Sequence, residues 1–164
     1  MSSKSTEVVI LMGSQSDWSV MKQAQNILNE FGINHQARII SAHRKADRLK
    51  EYVGEAEANG VKIFIAGAGM AAHLPGVVAS LTTRPVLGVP LEAGSLKGKD
   101  ALYSIVQMPG GIPVGTLGIG KAGAINAALL AVEILAIADN GLAEKLRAWR
   151  KTEADKLKEI PEDN

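Results

Sequence analysis

The sequence predicts an α/β fold, a central parallel sheet with helices on both faces, and three observations predict it. Short apolar runs rich in β-branched residues alternate with longer helical patterns along most of the chain, the signature of repeated strand–helix crossovers. Loops rich in glycine, serine and histidine follow the strand-like runs directly, where a parallel sheet ends. A length of 164 residues suits one domain, large enough to bury most of the surface its unfolded chain exposes. Residues 1–164 are therefore read as one domain, with a frayed start at 1–6 and a terminal helix and tail at 140–164.

In chain order, Glu7 to Met12 is the first strand-like run. A loop, Gly13-Ser14-Gln15-Ser16-Asp17, leads into a helical pattern from about Asp17 to Phe31, with Asp17 as its N-cap. His35 to Ile40 reads as a strand and Lys45 to Ala58 as a helix. Val61 to Ala66 is the third strand, with a short helix beyond Pro75. Pro85 to Val89 is the fourth, followed by a helix from Lys99 to Val106. Ile112 to Leu117 supplies a fifth strand before a long helix from Lys121 to Ala138. In that helix only Lys121, Asn126 and Glu133 interrupt an alanine, leucine and isoleucine surface, so it is expected to be buried all round. A domain this small rarely buries a helix completely by itself, so subunits are expected to pack around it. A membrane span is a poor reading of a small-residue stretch holding an acid and an amide. The last helix, about Leu142 to Leu157, carries Leu142, Leu146 and Trp149 on one stripe, which lies either across a neighbouring subunit or on its own domain.

Composition narrows the function. Eighteen basic and 17 acidic side chains leave a formal charge of +1 with no long block of one sign, against a nucleic-acid or membrane binder and in favour of a small ligand. Cysteine is absent, which removes disulfides, a thiolate nucleophile and sulfur-based zinc sites, and is compatible with a reducing compartment. The first six residues lead straight into a strand-like run and lack the apolar stretch of a signal peptide, so the expected location is the cytoplasm.

Two glycine motifs are decoys. Gly118-Ile119-Gly120-Lys121-Ala122-Gly123 fits G-x-G-x-x-G, and Gly115 to Lys121 fits most of a phosphate-binding P-loop. A P-loop needs a hydroxyl after its lysine, where Ala122 stands, and a dinucleotide fingerprint needs a following strand bearing an acid. Close packing of small residues explains these glycines better. Thirteen of the 17 glycines lie between Gly60 and Gly123, where backbone must approach something closely.

The first loop has better credentials, because small hydroxyls before a helix N-terminus offer N–H groups and a positive dipole end to an anion. Ser14 and Ser16 can donate to phosphate. Asp17 can accept from ribose hydroxyls, or can be a plain cap. Arg44 is a fork for phosphate or carboxylate, or half of a surface ion pair. His43 beside it is a candidate acid/base, since unperturbed imidazole titrates near neutrality. His73 is a second catalytic group or a loop-anchoring hydrogen bonder, and His35 reads as structural.

Gly13 to Trp18, Ser41-Ala42-His43-Arg44, Ala66-Gly67-Ala68-Gly69, Ala71 to Gly76 and Ser104 to Pro109 occur in that order. Together they resemble the class I PurE family, the N5-carboxyaminoimidazole ribonucleotide mutases of purine biosynthesis, over about residues 7 to 150. The Ser-Ala-His-Arg and Ala-Ala-His-Leu-Pro-Gly pair points away from class II relatives, which carboxylate aminoimidazole ribonucleotide directly.

The resemblance implies a flavodoxin-like three-layer α/β/α fold and a homo-octamer with sites near subunit contacts. It implies no metal, no organic cofactor, and a nucleotide substrate with transient CO2 as the ligands. Carboxylate would move from the exocyclic nitrogen to ring carbon 4, through decarboxylation and recarboxylation in one pocket. His43 matches the family's catalytic histidine. Ser14, Asp17 and Arg44 match positions that hold phosphate and ribose, with Ser16 and Ser41 in support. The glycines and alanines from Gly67 to Ala72 suit a wall around CO2, Ala68, Gly69 and Met70 count among the substrate-binding residues, and His73, followed by Leu74, matches the loop near the transferred carboxylate. Direct carboxylation of aminoimidazole ribonucleotide, or a non-catalytic nucleotide-binding module, are the alternatives.

The chain departs from the family pattern at three places. Met70 stands where a further glycine is common, and a positive φ there would strain methionine. Lys45-Ala46 replaces a frequent Thr-Pro, and Leu91 to Gly94 also differs.

Overall fold

The computed structural model describes residues 5–159. The expected fraying at 1–6 therefore lies largely outside the described residues, as does the end of the C-terminal tail. Five strands, β1 (Val8–Met12), β2 (His35–Ile39), β3 (Ile63–Gly69), β4 (Val86–Leu91) and β5 (Gly115–Thr116), form one sheet in the order β2-β1-β3-β4-β5. All neighbours are parallel, which is the flavodoxin-like doubly wound arrangement with its switch point between β1 and β3. Six α-helices accompany them: α1 (Trp18–Phe31), α2 (Ala46–Ala58), α3 (Leu74–Leu81), α4 (Lys99–Val106), α5 (Lys121–Ala136) and α6 (Asn140–Asp155).

Strand periodicity divides the core in two. Val8, Ile10, Met12, Ile63, Ile65, Leu87 and Val89 face one way and pack with Met21 and Leu28 of α1, the alanines of α5, and Leu142 and Leu146 of α6. Val9, Leu11, Phe64, Ala66 and Val86 face the other way, onto Leu49 and Val53 of α2, Val78 of α3 and Ile105 of α4. Strands covered on both faces need apolar residues at every position, and β1 is buried throughout. Among the described residues, no polar or charged residue is fully buried. Burial of each large side chain contributes about 1.5–3 kcal/mol.

Register sets the working end. Met12 pairs with Ile39 on one side and Gly67 on the other, so β1 and β2 end level and β3 runs two residues further. Two glycines allow the layers to close here. A Cβ on Gly67 would meet Met21 Sδ at 2.3 Å, and one on Gly88 would meet Ile105 Cγ2 at 2.5 Å.

Several boundaries differ from the sequence reading for identifiable reasons. β3 runs on to Gly69 because β4 pairs with it as far as Gly69↔Leu91, so its terminal glycines are held extended by a neighbour. β5 shrinks to two residues, opposite Leu87 and Gly88, because Pro113 has no N–H and the Gly110-Gly111 turn keeps the preceding backbone out of register. The N-terminus of α1 is preceded by a 3-10 turn, Gln15–Asp17, and Asp17 makes no side-chain cap bond to α1. α5 stops at Ala136, leaving Ile137 86% exposed. Within one chain α5 is not buried all round: Ile125, Leu129, Leu130, Ile134 and Leu135 are only partly covered.

The stripe on α6 packs on its own chain. Leu142 and Leu146 are buried, Trp149 stacks at a tilt on Phe31 with centroids 5.9 Å apart, and Lys145 donates to the Glu30 carbonyl. The decoy motif resolves into a loop lying on a helix start, since a Cβ on Gly123 would fall 1.6 Å from the Gly118 carbonyl oxygen. No helix among the described residues is long and apolar enough to cross a membrane.

Candidate active site

The loop after β1 is a self-capped turn. Asp17 Oδ2 accepts from the Ser14 N–H at 3.0 Å, while Ser14 Oγ accepts from the Ser16 N–H at 3.4 Å and from the Ser16 hydroxyl at 3.0 Å. This reciprocal capping box belongs to the 3-10 turn. It leaves Asp17 half-buried, and burial pushes its carboxyl pKa up, opposed by the N–H groups of Ser14 and Gly13 and the Ser16 hydroxyl. A carboxylate stripped of part of its water in this way is a strong acceptor for an incoming hydroxyl.

Ser41 holds the turn after β2, accepting from the Arg44 N–H at 3.3 Å and from Arg44 Nε at 3.5 Å. Arg44 Nη2 then donates to the Gly13 carbonyl at 3.1 Å, which ties the second loop to the first. Among the described residues no carboxylate lies within ion-pair distance of Arg44. The surface ion pair is not formed, and the positive charge is left for a ligand.

His43 ends this turn at the third loop. Its Nε2 lies 2.8 Å from His73 Nδ1, with ring centroids 4.9 Å apart and planes at 88°, so one imidazole donates an N–H to the other. His35 sits at the opposite end of β2 and donates Nδ1–H to the Ile33 carbonyl at 2.8 Å, as its structural reading expects. Met70, at the end of β3, has φ +52°, the left-handed region that favours glycine.

These loops enclose a cavity of about 520 Å³ at the switch point. Ser14, Ser16, Asp17, Ser41, His43, Arg44, Ala68, Gly69, Met70, His73 and Leu74 all line it, with Gly13, Ala42 and Ala71 from the same segments. Ala93, from the loop after β4, completes it. Nothing in the sequence singled out Ala93, although the unusual stretch Leu91 to Gly94 contains it. Position explains its presence: a Cβ on Gly69 would lie 2.8 Å from Ala93 Cβ, so the two loops touch. The cavity has a polar end, built from the first two loops, and an apolar end built from β3, α3 and the Ala93 loop. The His43–His73 contact joins the second loop to the third. His43, Arg44, Met70 and His73 are exposed in the single chain, so its rim is open to water.

A second cavity, about 550 Å³, lies at the other end of the sheet beside Thr82, Arg84 and Ile112. Two of its polar groups are spent locally, since Thr82 donates to Glu57 and Arg84 pairs with the same carboxylate. It has no imidazole.

Fold and cavity define a flavodoxin-like α/β protein with a small-ligand site at its topological switch point. A family model described as AIR carboxylase matches residues 7–156, and the chain belongs to that family. It is 55% identical over 157 residues to an N5-carboxyaminoimidazole ribonucleotide mutase of Brucella melitensis, covering 96% of this chain and 97% of the relative. To the mutase of Escherichia coli it is 54% identical over 155 residues, 94% of this chain and 92% of the relative. The crystal structure of Treponema denticola PurE superposes with a TM-score of 0.83 at 33% identity, covering 91% of this chain and 92% of that one.

Proposed function

We propose that the chain is an isomerase of purine biosynthesis that converts N5-carboxyaminoimidazole ribonucleotide into 4-carboxy-5-aminoimidazole ribonucleotide. The observation that carries this reading is the position of His43, its ring paired with His73 in one cavity that Ser14, Ser16, Asp17 and Arg44 line with polar groups and Ala68, Gly69 and Leu74 line with apolar ones. Near-full-length identity to relatives named as mutases supports the same reaction.

Arg44 and the Ser14–Ser16 loop take the phosphate, and Asp17 accepts from the ribose hydroxyls. Ser41 keeps Arg44 in place. The imidazole ring then lies against His43, with its carboxylate toward Ala68, Gly69 and His73. As the nitrogen–carbon bond of the carbamate breaks, its electron pair returns to nitrogen and protonated His43 supplies the proton. CO2 remains in the apolar end. Ring carbon 4 attacks it, forming the new carbon–carbon bond, and the now neutral His43 removes the proton from carbon 4 to restore aromaticity. The proton balance closes, and one imidazole serves both steps because they need opposite protonation states in sequence. Retention of CO2 replaces a second encounter by an effectively intramolecular step.

That step needs a drier cavity than one chain offers, and α5 shows a partly covered apolar face. Assembly into a homo-octamer, with sites near subunit contacts, meets both needs. The cytoplasm is the working compartment, in keeping with a chain without cysteine.

The test is a carboxylate-transfer assay on folded protein with each substrate separately. Wild type is expected to form product from the N-carboxylated substrate without added bicarbonate, and His43→Asn to bind nucleotide without converting it. Undiminished turnover by His43→Asn removes that residue from the role. Product only from aminoimidazole ribonucleotide and bicarbonate establishes direct carboxylation instead, the reading the family's description favours. Binding without turnover in wild type leaves a nucleotide-binding module.

A further inference from the structure

The charges around the cavity leave its phosphate end short of a cation. Histidines aside, two lining residues carry full charges, the Asp17 carboxylate and the Arg44 guanidinium, and these cancel. A phosphate monoester brings about −1.5 to −2 charges near neutral pH. Arg44 is also partly spent, since its Nε and Nη2 already donate to the Ser41 hydroxyl and the Gly13 carbonyl. A net attraction for the nucleotide must therefore come from charges just outside the wall.

The residues that flank the lining segments in the chain decide the sign of that field, and among them Lys45 and Glu92 are charged. Topology separates the two. Glu92 follows β4, which lies two strands from β1 and three from β2, roughly 10 to 15 Å at ordinary strand spacing. Lys45 follows Arg44 directly, beside the serine loop of β1. Its backbone is fixed on both sides. The Lys45 N–H donates to the Ser41 carbonyl at 2.9 Å, and the Lys45 carbonyl accepts from the Leu49 N–H at 2.9 Å. The side chain is exposed, and among the described residues no carboxylate lies within ion-pair distance of its ammonium. Arg48, one turn further on, is by contrast paired with Glu51 and Glu55. The charge that opposes Lys45 is Asp47, exposed in the first turn of α2.

We infer that Lys45 is a specificity determinant for the phosphate of the nucleotide, acting through space rather than as part of the wall. This rests on the nucleotide reading given above. Lys45 offsets Asp47, so that Arg44 meets the phosphate in a field that attracts it. Attraction between full charges falls slowly with distance and does not require one rotamer. For charges on the order of 8 Å apart in water, one lysine facing a phosphate dianion changes affinity about three- to sixfold at low salt. At about 0.5 M salt the screening length falls to about 4 Å and most of that effect disappears.

The experiment measures kcat and KM of the intact enzyme on N5-carboxyaminoimidazole ribonucleotide at about 0.02 M and about 0.5 M salt. Lys45→Gln keeps the stem and removes the charge, Lys45→Arg keeps the charge, and Asp47→Asn removes the opposing one. At low salt Lys45→Gln is expected to raise KM about three- to sixfold with kcat unchanged, and to weaken competitive inhibition by inorganic phosphate in the same direction. Lys45→Arg is expected to behave as wild type, and Asp47→Asn to lower KM. At high salt the Gln variant and wild type are expected to converge. An unchanged KM in Lys45→Gln at low salt overturns the inference while leaving the reaction intact. So does a deficit of the same size at both salt concentrations, which marks a structural role, or an Arg variant as poor as Gln. A wild type that converts none of this substrate overturns the reaction itself, and the inference with it. A thermal melt of each variant, expected to match wild type, checks that folded proteins are compared.

Discussion

Asp17 serves the fold and the proposed site with the same two oxygens, and two substitutions separate these duties. Its Oδ2 accepts from the Ser14 N–H at 3.0 Å and closes the capping box of the first loop. Asp17→Ala removes that acceptor, at a cost of about 1 kcal/mol. For a chain of this length that lowers the melting temperature by roughly 2–4 °C. Asp17→Asn keeps an acceptor oxygen in the same position and discards the charge. Burial pushes the Asp17 carboxyl pKa up, so the folded state holds its proton more tightly than the unfolded state does. The stabilisation belonging to the protonated form is complete below the unfolded carboxyl range, about pH 4, and is lost as pH rises through the higher folded value. At neutral pH wild type therefore carries a penalty that Asn lacks, and Asn is expected to melt at or above the wild-type temperature.

Substrate binding should move the other way. A hydroxyl bonded to a carboxylate is worth about 1.5–3 kcal/mol, or roughly 10- to 150-fold in affinity. Ala loses all of it and Asn about half. The assays are thermal melts from pH 3.5 to 8 and substrate titration by calorimetry. If Asn melts as low as Ala at neutral pH, charge holds the loop and the geometric argument fails. If both variants bind substrate like wild type, Asp17 is a cap and nothing more.

Arg44→Ala removes the cavity-lining guanidinium, which has no carboxylate partner among the described residues. It is expected to raise KM roughly 30- to 150-fold with a smaller change in kcat, measured by steady-state kinetics. Gly88→Ala places a Cβ 2.5 Å from Ile105 Cγ2 and 2.9 Å from Val114 Cγ1. Such overpacking costs about 1–3 kcal/mol, visible in urea denaturation, and combination with Ile105→Ala is expected to cost less than the two losses added. Multi-angle light scattering is expected to find a particle of roughly 140 kDa from chains of 17.3 kDa, whereas a monomer would remove the octamer from the proposal.

Much of the architecture was legible because strands covered on both faces announce themselves as apolar runs, and β1 and β4 are such strands. The pieces misjudged were those governed by partners remote in sequence. Gly67 to Gly69 have no strand propensity of their own and are extended because β4 pairs with all three and β1 with Gly67. Pro113 does the opposite, cutting an apolar run short. At the cavity, every side chain that announces chemistry by type was legible: an imidazole, a guanidinium, a hydroxyl beside a helix start. Ala93 was not, because a methyl group lines a wall only through the approach of two loops, and nothing local encodes that approach. The His43–His73 pairing was also invisible, since it depends on register between β2 and β3 across β1.

The open rim and the half-covered helix have one physical origin. A doubly wound sheet exposes its ligand site at the carboxyl ends of its strands, where loops supply chemistry but little enclosure. A reaction that only bound a nucleotide would tolerate that. One that must hold a neutral gas molecule between two bond changes cannot, because CO2 offers neither charge nor a donor by which it can be gripped. Enclosure then has to come from apolar cover. Met70, exposed at the rim, and the partly covered isoleucines and leucines of α5 are apolar surface that the proposed octamer would bury.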